Sequence, residues 1–359
     1  MSSLFIGKSE LKYPVIQGGM GVGVSLSGLA SAVATEGGVG IIASVGIGVS
    51  MEKDYSNLRE YVIEALRQEI RKARSMTQGV LGVNIMVVLT DYERMVQLCI
   101  EEGIDIIFSG SGLPLDLPKY RNPESKTALV PIVSSARAAN IICNKWEKNF
   151  DVVPDAIVVE GPLAGGHLGF HLDAIDRPES QLEVLIPQVV DIVKQYEERR
   201  NCRIPVIAAG GVFSGADIHR FLQLGASGVQ MGTRFVGTYE CDASDAFKQL
   251  FVKAEEKDIQ IITSPVGLPG RAIISPFLEE VTRGIRKPIF CKYHCIHTCD
   301  YEDTPYCIAD ALLQGRNGNI HEGFAFSGAN AYKIKEIVSV KEIFDHLKQE
   351  YREVAGQEL

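Results

Sequence analysis

Two short apolar runs, one helix apart and each ending in glycine, constrain this chain more than any other feature. They lie in Ile204–Phe235, IPVIAAGGVFSGADIHRFLQLGASGVQMGTRF. Ile204–Ala209 reads as a buried strand that empties into Gly210-Gly211. Ser214, with Asp217 three residues on, approaches a capping box and starts a helix. Gly228–Met231 reads as the next strand and ends in Gly232-Thr233. Where two neighbouring parallel strands both finish in glycine, bare backbone N–H groups can gather round an anion. In a (β/α)8 barrel the loops after strands seven and eight are the usual phosphate site. Tight strand-to-helix turns also use glycine, but two such turns in succession favour phosphate.

The rest of the chain alternates in the same way. Strands are expected at Val15–Gln17, Val39–Ala43, Val80–Met86, Asp105–Phe108, Ala128–Val133 and Ala156–Val159, ahead of the two above. Between them lie a small-residue helix over Leu26–Glu36 and a charged amphipathic one over Tyr55–Ser75. A third helix runs to Glu102 with Thr90 and Glu93 spaced as a capping box, followed by Ser135–Lys148 and Glu183–Arg199. Eight β-then-α units without a hairpin signal predict an α/β fold closed into a TIM (β/α)8 barrel.

Beyond Phe235 the pattern stops. Ser244–Glu256 reads as helix, Ser264–Ala272 as a Gly/Pro loop, Cys291–Cys307 as a cysteine-bearing insert, and the end of the chain as an amphipathic helix with Val340, Ile343, Phe344 and Leu347 on one face. The expectation is a single domain over residues 1–359, with 236–335 decorating the barrel and 336–359 forming the C-terminal helix. Hydrophobic residues make up 46% of the chain, enough for a sizeable core. A net charge of −9 argues against nucleic acid or an anionic membrane as partner. No apolar run reaches the ~18 residues of a membrane span, and the N-terminus lacks a signal-peptide pattern. A cytoplasmic protein with reduced cysteines is expected. Its partner is a small-molecule substrate, and a homodimer is left open.

Chemistry in a barrel sits at the carboxyl ends of the strands. Here these ends supply Gln17-Gly18-Gly19-Met20, Asn84, Ser109-Gly110, Ser134, His167, Gly210-Gly211 and Gly232-Thr233. The set is rich in glycine, amides and hydroxyls and has no carboxylate pair of the glycosidase kind. His167, in Ala164-Gly-Gly-His167, is its one evident acid/base group. A phosphate cradle, neutral hydrogen-bonding groups and one histidine suit a bound cofactor that carries the chemistry itself.

Five ordered motifs carry a family resemblance: PVIQGGMG (Pro14–Gly21), GVNI (Gly82–Ile85), EGPLAGGHLG (Glu160–Gly169), IPVIAAGG (Ile204–Gly211) and GVQMGTRF (Gly228–Phe235). They resemble the FMN-dependent nitronate monooxygenases (2-nitropropane dioxygenases) and their relatives, the flavin-dependent enoyl-acyl carrier protein reductases. The resemblance covers about residues 5–270, with a weaker match over Gly323–Ile343. It implies FMN held at the mouth of a TIM barrel. Gln17, Gly18, Gly19 and Met20 would line the ring edge, Asn84 would bond the ring, Gly165 and Gly166 would approach it, and Gly210, Gly211, Gly232 and Thr233 would hold the phosphate. His167 matches the family's catalytic histidine, a base or a group that orients substrate.

The resemblance implies an oxidoreductase that oxidises alkyl nitronates with O2 to a carbonyl compound and nitrite. The alternatives are an enoyl-thioester reductase with NAD(P)H as co-substrate, and a flavin-binding protein without activity. The chain departs from the family at Gly21-Val-Gly-Val-Ser25, where many relatives carry a bulky aromatic segment. It departs again in the insert, where Cys291, Cys295, Cys299 and Cys307 could bind zinc or an iron–sulfur cluster. No C-x2-C pair is present, and the i, i+4, i+8 spacing also suits small buried residues on one helical face, so the expectation is no metal.

Overall fold

The computed structural model describes residues 4–49, 57–287, 291, 293–297, 299–300, 302 and 304–359. An antiparallel hairpin opens the chain, β1 (Leu4–Ile6) with β2 (Ser9–Leu11). Then come β3 (Val15–Gln17), β4 (Val39–Ala43), β5 (Val80–Met86), β6 (Ile106–Gly110), β7 (Ala128–Val133), β8 (Ile157–Glu160), the two-residue β9 (Gly166–His167), β10 (Val206–Ala209) and β11 (Gly228–Met231). Strands β3 to β8, β10 and β11 close into an eight-stranded parallel barrel, with β11 returning to β3 through Val229↔Val15 and Met231↔Gln17. The fold is the α/β barrel expected from the repeat of units.

Helices wrap the outside in chain order: α1 (Ser27–Thr35), α2 (Leu58–Met76), α3 (Tyr92–Glu101), α4 (Ala136–Phe150), α5 (Leu182–Arg200), α6 (Gly215–Gln223) and the one-turn α7 (Thr233–Val236). They are followed by α8 (Asp245–Lys253), α9 (Pro276–Thr282), α10 (Ile308–Arg316) and α11 (Val340–Ala355). The expected start of the second helix, Tyr55, lies outside the described residues. No described helix is long and apolar enough to cross a membrane.

Strand alternation produces two cores. Ile16, Ile41, Ile106, Phe108, Val130, Val158 and Ile207 pack inside the barrel. Their neighbours Val15, Ile42, Ile107, Leu129, Val159 and Ala208 pack under the helices, which is why these strands read as unbroken apolar runs. Leu4, Ile6 and Leu11 of the hairpin join the inner core and plug the barrel. Three-residue strands are too short to show alternation, so this hairpin leaves no sequence signal.

Two local expectations are met differently. Ser214 and Asp217 do form a reciprocal capping box at the start of α6. Thr90 and Glu93 do not: Asp91 stands at the N-terminal boundary of α3, and the Thr90 hydroxyl instead donates to the carbonyl of His294 at 2.7 Å. Long-range bonding has outcompeted local capping there. Ser264–Ala272 is also not one loop. Strands β12 (Ile259–Thr263), β13 (Pro269–Ile273) and β14 (Ala325–Phe326) form an antiparallel sheet, and β9 pairs with β13 through Gly270↔His167 and Arg271↔Gly166. Proline is tolerated at the first residue of a strand, which is where Pro269 lies. This small sheet fixes the loop after β8 over the barrel mouth.

A distant residue fixes the loop after β3. Asp242 accepts the backbone N–H groups of Leu26 (2.7 Å), Gly28 (3.1 Å) and Leu29 (3.1 Å) at the start of α1. Leu26 has no side chain that could cap the helix, so the orphan donors are met from elsewhere in the chain.

Candidate active site

The carboxyl ends of the barrel strands surround a cavity of about 480 Å3. Gly18, Gly19, Met20, Asn84, Gly165, Gly166, His167, Gly210, Gly211, Gly232 and Thr233, all expected at the site, line it together. Gln17 is the exception. It is fully buried beneath the loop, where its amide accepts the Ile41 N–H at 2.9 Å and donates to the Gly18 carbonyl. Its buried polar group needs partners, and in satisfying them it ties the Gly18 carbonyl to β4.

The glycines are where the loops meet backbone to backbone. Gly210 and Gly211 have φ of 92° and 88°, a left-handed conformation that side chains disfavour. A Cβ at Gly210 would stand 2.8 Å from the Gly161 carbonyl oxygen, and one at Gly19 2.4 Å from the Cβ of Asn84. A further loop, unexpected from sequence, completes the cradle. Gly328 donates its N–H to the Thr233 hydroxyl at 2.8 Å, and Asn330 donates its side-chain amide to the Gly211 carbonyl at 2.7 Å. Gln230 Oε1, Ser44 Oγ and Ser327 Oγ are buried without a hydrogen-bond partner among the described residues, and all three residues line the cavity. Buried polar atoms of this kind fit a ligand rich in donors and acceptors, as a flavin with its phosphate is.

His167 sits on β9. Its Nε2 is 2.7 Å from Ser264 Oγ, and its ring meets Phe326 edge-on with centroids 5.1 Å apart. Burial lowers its pKa to about 4, so the ring is neutral across the physiological range. Arg271, on the neighbouring strand, donates to the carbonyls of Pro162 (2.5 Å) and Ala164 (2.9 Å) and so fastens the loop that carries His167. Ser264 and Arg271 lie about a hundred residues from their partners, and nothing local in the sequence marks them.

Glu160 ends β8 and also lines the cavity. Its accessible surface faces the cavity and not bulk water, and burial raises its pKa to about 7. The folded state therefore favours the protonated acid. This penalty on stability is absent below the unfolded pKa of 4.5, grows as pH rises, and is complete above about 7. Glu160→Gln is accordingly expected to stabilise the protein by on the order of 2 kcal/mol at about pH 8 and by little at about pH 5. Thermal melts of both proteins at the two pH values check this; an equal shift at both would contradict it.

The family model described as nitronate monooxygenase matches residues 2–350. The chain belongs to the nitronate monooxygenase family. It is thus a flavin-dependent oxidoreductase, in keeping with the cradle and the orphaned polar atoms. Among relatives of this nitronate monooxygenase family member, a Staphylococcus aureus protein named probable nitronate monooxygenase is 30% identical over 314 residues, covering 76% of this chain and 79% of that one. The (3aS,4S,5R,7aS)-5-hydroxy-7a-methyl-1-oxo-octahydro-1H-indene-4-carboxyl-CoA dehydrogenase of Mycobacterium tuberculosis is 30% identical over 276 residues, covering 77% and 67%. FabK from Thermotoga maritima superposes with a TM-score of 0.72 at 28% identity, covering 96% of this chain and 94% of that one. Nitroalkane oxidase from Streptomyces ansochromogenes, at TM-score 0.71 and 20% identity over 96% and 97%, shares the fold.

Proposed function

We propose that this chain binds FMN at the barrel mouth and oxidises alkyl nitronates with O2 to a carbonyl compound and nitrite. The observation that carries this reading is the neutral His167 held by Ser264 at the cavity wall. An imidazole with so low a pKa is a poor base toward carbon but remains a good hydrogen-bond partner. It suits a substrate that arrives as a preformed anion and needs its nitro oxygens steadied more than a proton removed. Ser264 Oγ also accepts the Val266 N–H at 3.4 Å, so the hydroxyl that engages Nε2 is itself tied to the loop.

Gly210, Gly211, Gly232 and Thr233 are the residues for the FMN phosphate, and Gly19, Met20 and Asn84 those for the ring, with Gln230, Ser44 and Ser327 offering further hydrogen bonds. FMN supplies the capacity to take electrons from the nitronate and pass them to O2. The protein's part is to bind and orient the substrate and to keep the loop after β8 in place through Arg271.

A second reading, reduction of an enoyl thioester with NAD(P)H as donor, is favoured by the outer cavity. Val22, Val45, Val49, Leu58, Val62 and Leu312 line it, an apolar wall that would take an acyl chain.

The test is an aerobic assay with a preformed nitronate. Nitrite and carbonyl product should appear in equal amounts, and heat-denatured enzyme should release FMN. Gly211→Val, which adds a β-branched side chain at a left-handed residue facing Leu163, is expected to lose the flavin, read as the flavin-to-protein ratio. Release of FAD in place of FMN, or NAD(P)H-dependent reduction of an enoyl thioester without nitronate turnover, would overturn the proposal.

A further inference from the structure

Cys291, Cys295, Cys299 and Cys307 belong to a stretch in which the described residues form no helix or strand until α10 begins after Cys307. Their i, i+4, i+8 spacing therefore does not place them on one helical face. The fold instead gathers all four around one cavity of about 250 Å3. Every pair among them lies within electrostatic reach. Cys295 feels Cys307, Cys291 and Cys299; Cys299 feels Cys291 and Cys307; Cys307 feels Cys291. None is in a disulfide.

The stretch is fastened on one side to the loop after β5. Thr90 donates its N–H to the Cys295 carbonyl at 3.2 Å and its hydroxyl to the His294 carbonyl, while the His297 backbone N–H and ring Nδ1 both reach the Val88 carbonyl, at 3.2 and 2.7 Å. Leu89 pairs with Ile296 as an antiparallel bridge. These bonds are made by backbone, Thr90 and His297 and use none of the four sulfurs. Cys295, Ile296, Ile308 and Ala309 line both this cavity and the active-site cavity, so the two share a wall.

We propose that these four cysteines ligate a cubane iron–sulfur cluster on the outer wall of the active-site cavity. A donor set of four thiolates selects zinc or iron–sulfur chemistry. Zinc would draw the sulfurs to ~2.3 Å from one ion and so to about 3.8 Å from each other. Among the described residues no three His, Cys, Asp or Glu are grouped tightly enough to hold a single metal ion. The cavity that the four cysteines line, about 250 Å3, is larger than a single ion requires. In a cubane each cysteine binds its own iron at a separate corner, so the sulfurs stand farther apart around a larger centre. That arrangement reconciles four cysteines lining one cavity with the lack of a single-ion site among the described residues.

The test uses the full chain purified without oxygen and, in parallel, reconstituted with ferrous iron and sulfide. About four irons and four acid-labile sulfides per chain are expected, with an electron paramagnetic resonance signal on reduction. Cys299→Ser and Cys307→Ser should each lose the iron and the signal, while Cys202→Ser, elsewhere on the barrel, should keep both. If a variant fails to fold, the metal and sulfide content of the parent decides. Stoichiometric zinc without sulfide, or a metal-free chain whose four thiols all react on unfolding even after reconstitution, would overturn the proposal.

Discussion

Replacing His167 with Ala is expected to leave flavin bound, with a near-parental absorption spectrum, and to slow nitronate oxidation by about 10–100-fold. The cradle residues lie on other loops, so the cofactor does not depend on this side chain. The expected loss is that of one hydrogen bond to a charged group, about 1.5–3 kcal/mol, converted to a rate ratio. Because burial holds the imidazole neutral down to about pH 4, the parent's kcat/KM for a nitronate should show no break near pH 6.5 from this group. A neutral nitroalkane, which needs a base, should be a much poorer substrate for the parent. Steady-state kinetics against pH for both substrates check this. Parental rates in the variant, or loss of flavin from it, would show that His167 serves something other than the substrate.

Arg271→Met is expected to lower stability by roughly 2–5 kcal/mol and to reduce kcat sharply. The buried guanidinium satisfies the carbonyls of Pro162 and Ala164 at once. Removing it leaves two buried acceptors, each costing about 1–3 kcal/mol, with only partial relief from no longer desolvating a cation. The same carbonyls belong to the loop leading to β9, so His167 should lose its place beside Ser264. Urea unfolding and kcat are the readouts. Both bonds leave from Nη1, so Arg271→Lys, which keeps the charge but carries its nitrogen on a differently shaped side chain, should recover only part of either. A variant as stable as the parent would mean that pairing of β9 with β13 alone holds the loop.

What the sequence disclosed, and what it hid, follow from how far apart the interacting residues lie. Each barrel strand is a local apolar run, several of them closed by glycine, so the eight units were legible one by one. The capping box of Ser214 with Asp217 is a contact three residues long and could be read directly. The glycine ends at Gly210-Gly211 and Gly232-Thr233 announced the cradle because close backbone approach admits few other residues. By contrast, Ser264 is 97 residues from His167, and Asp242 is 216 residues from Leu26. Nothing in a local pattern marks such partners. Thr90 misled because its spacing to Glu93 was right while its hydroxyl had a better acceptor in the insert. Gln17 is expected at the site with Gly18, Gly19 and Met20, but its side chain is buried beneath the loop on the Ile41 N–H and the Gly18 carbonyl. The cysteines show the same limit, since helical spacing matters only where a helix forms.

The proposed function makes a preformed nitronate the electron donor to the flavin in this site. Holoenzyme mixed without oxygen with a nitronate, NADH or NADPH in separate cells tests it most directly, with the visible flavin absorbance as the signal. Rapid bleaching by the nitronate and little by either nicotinamide is expected, with colour restored on admitting O2. Bleaching by NADH or NADPH and none by the nitronate would contradict it and leave the thioester reading in its place.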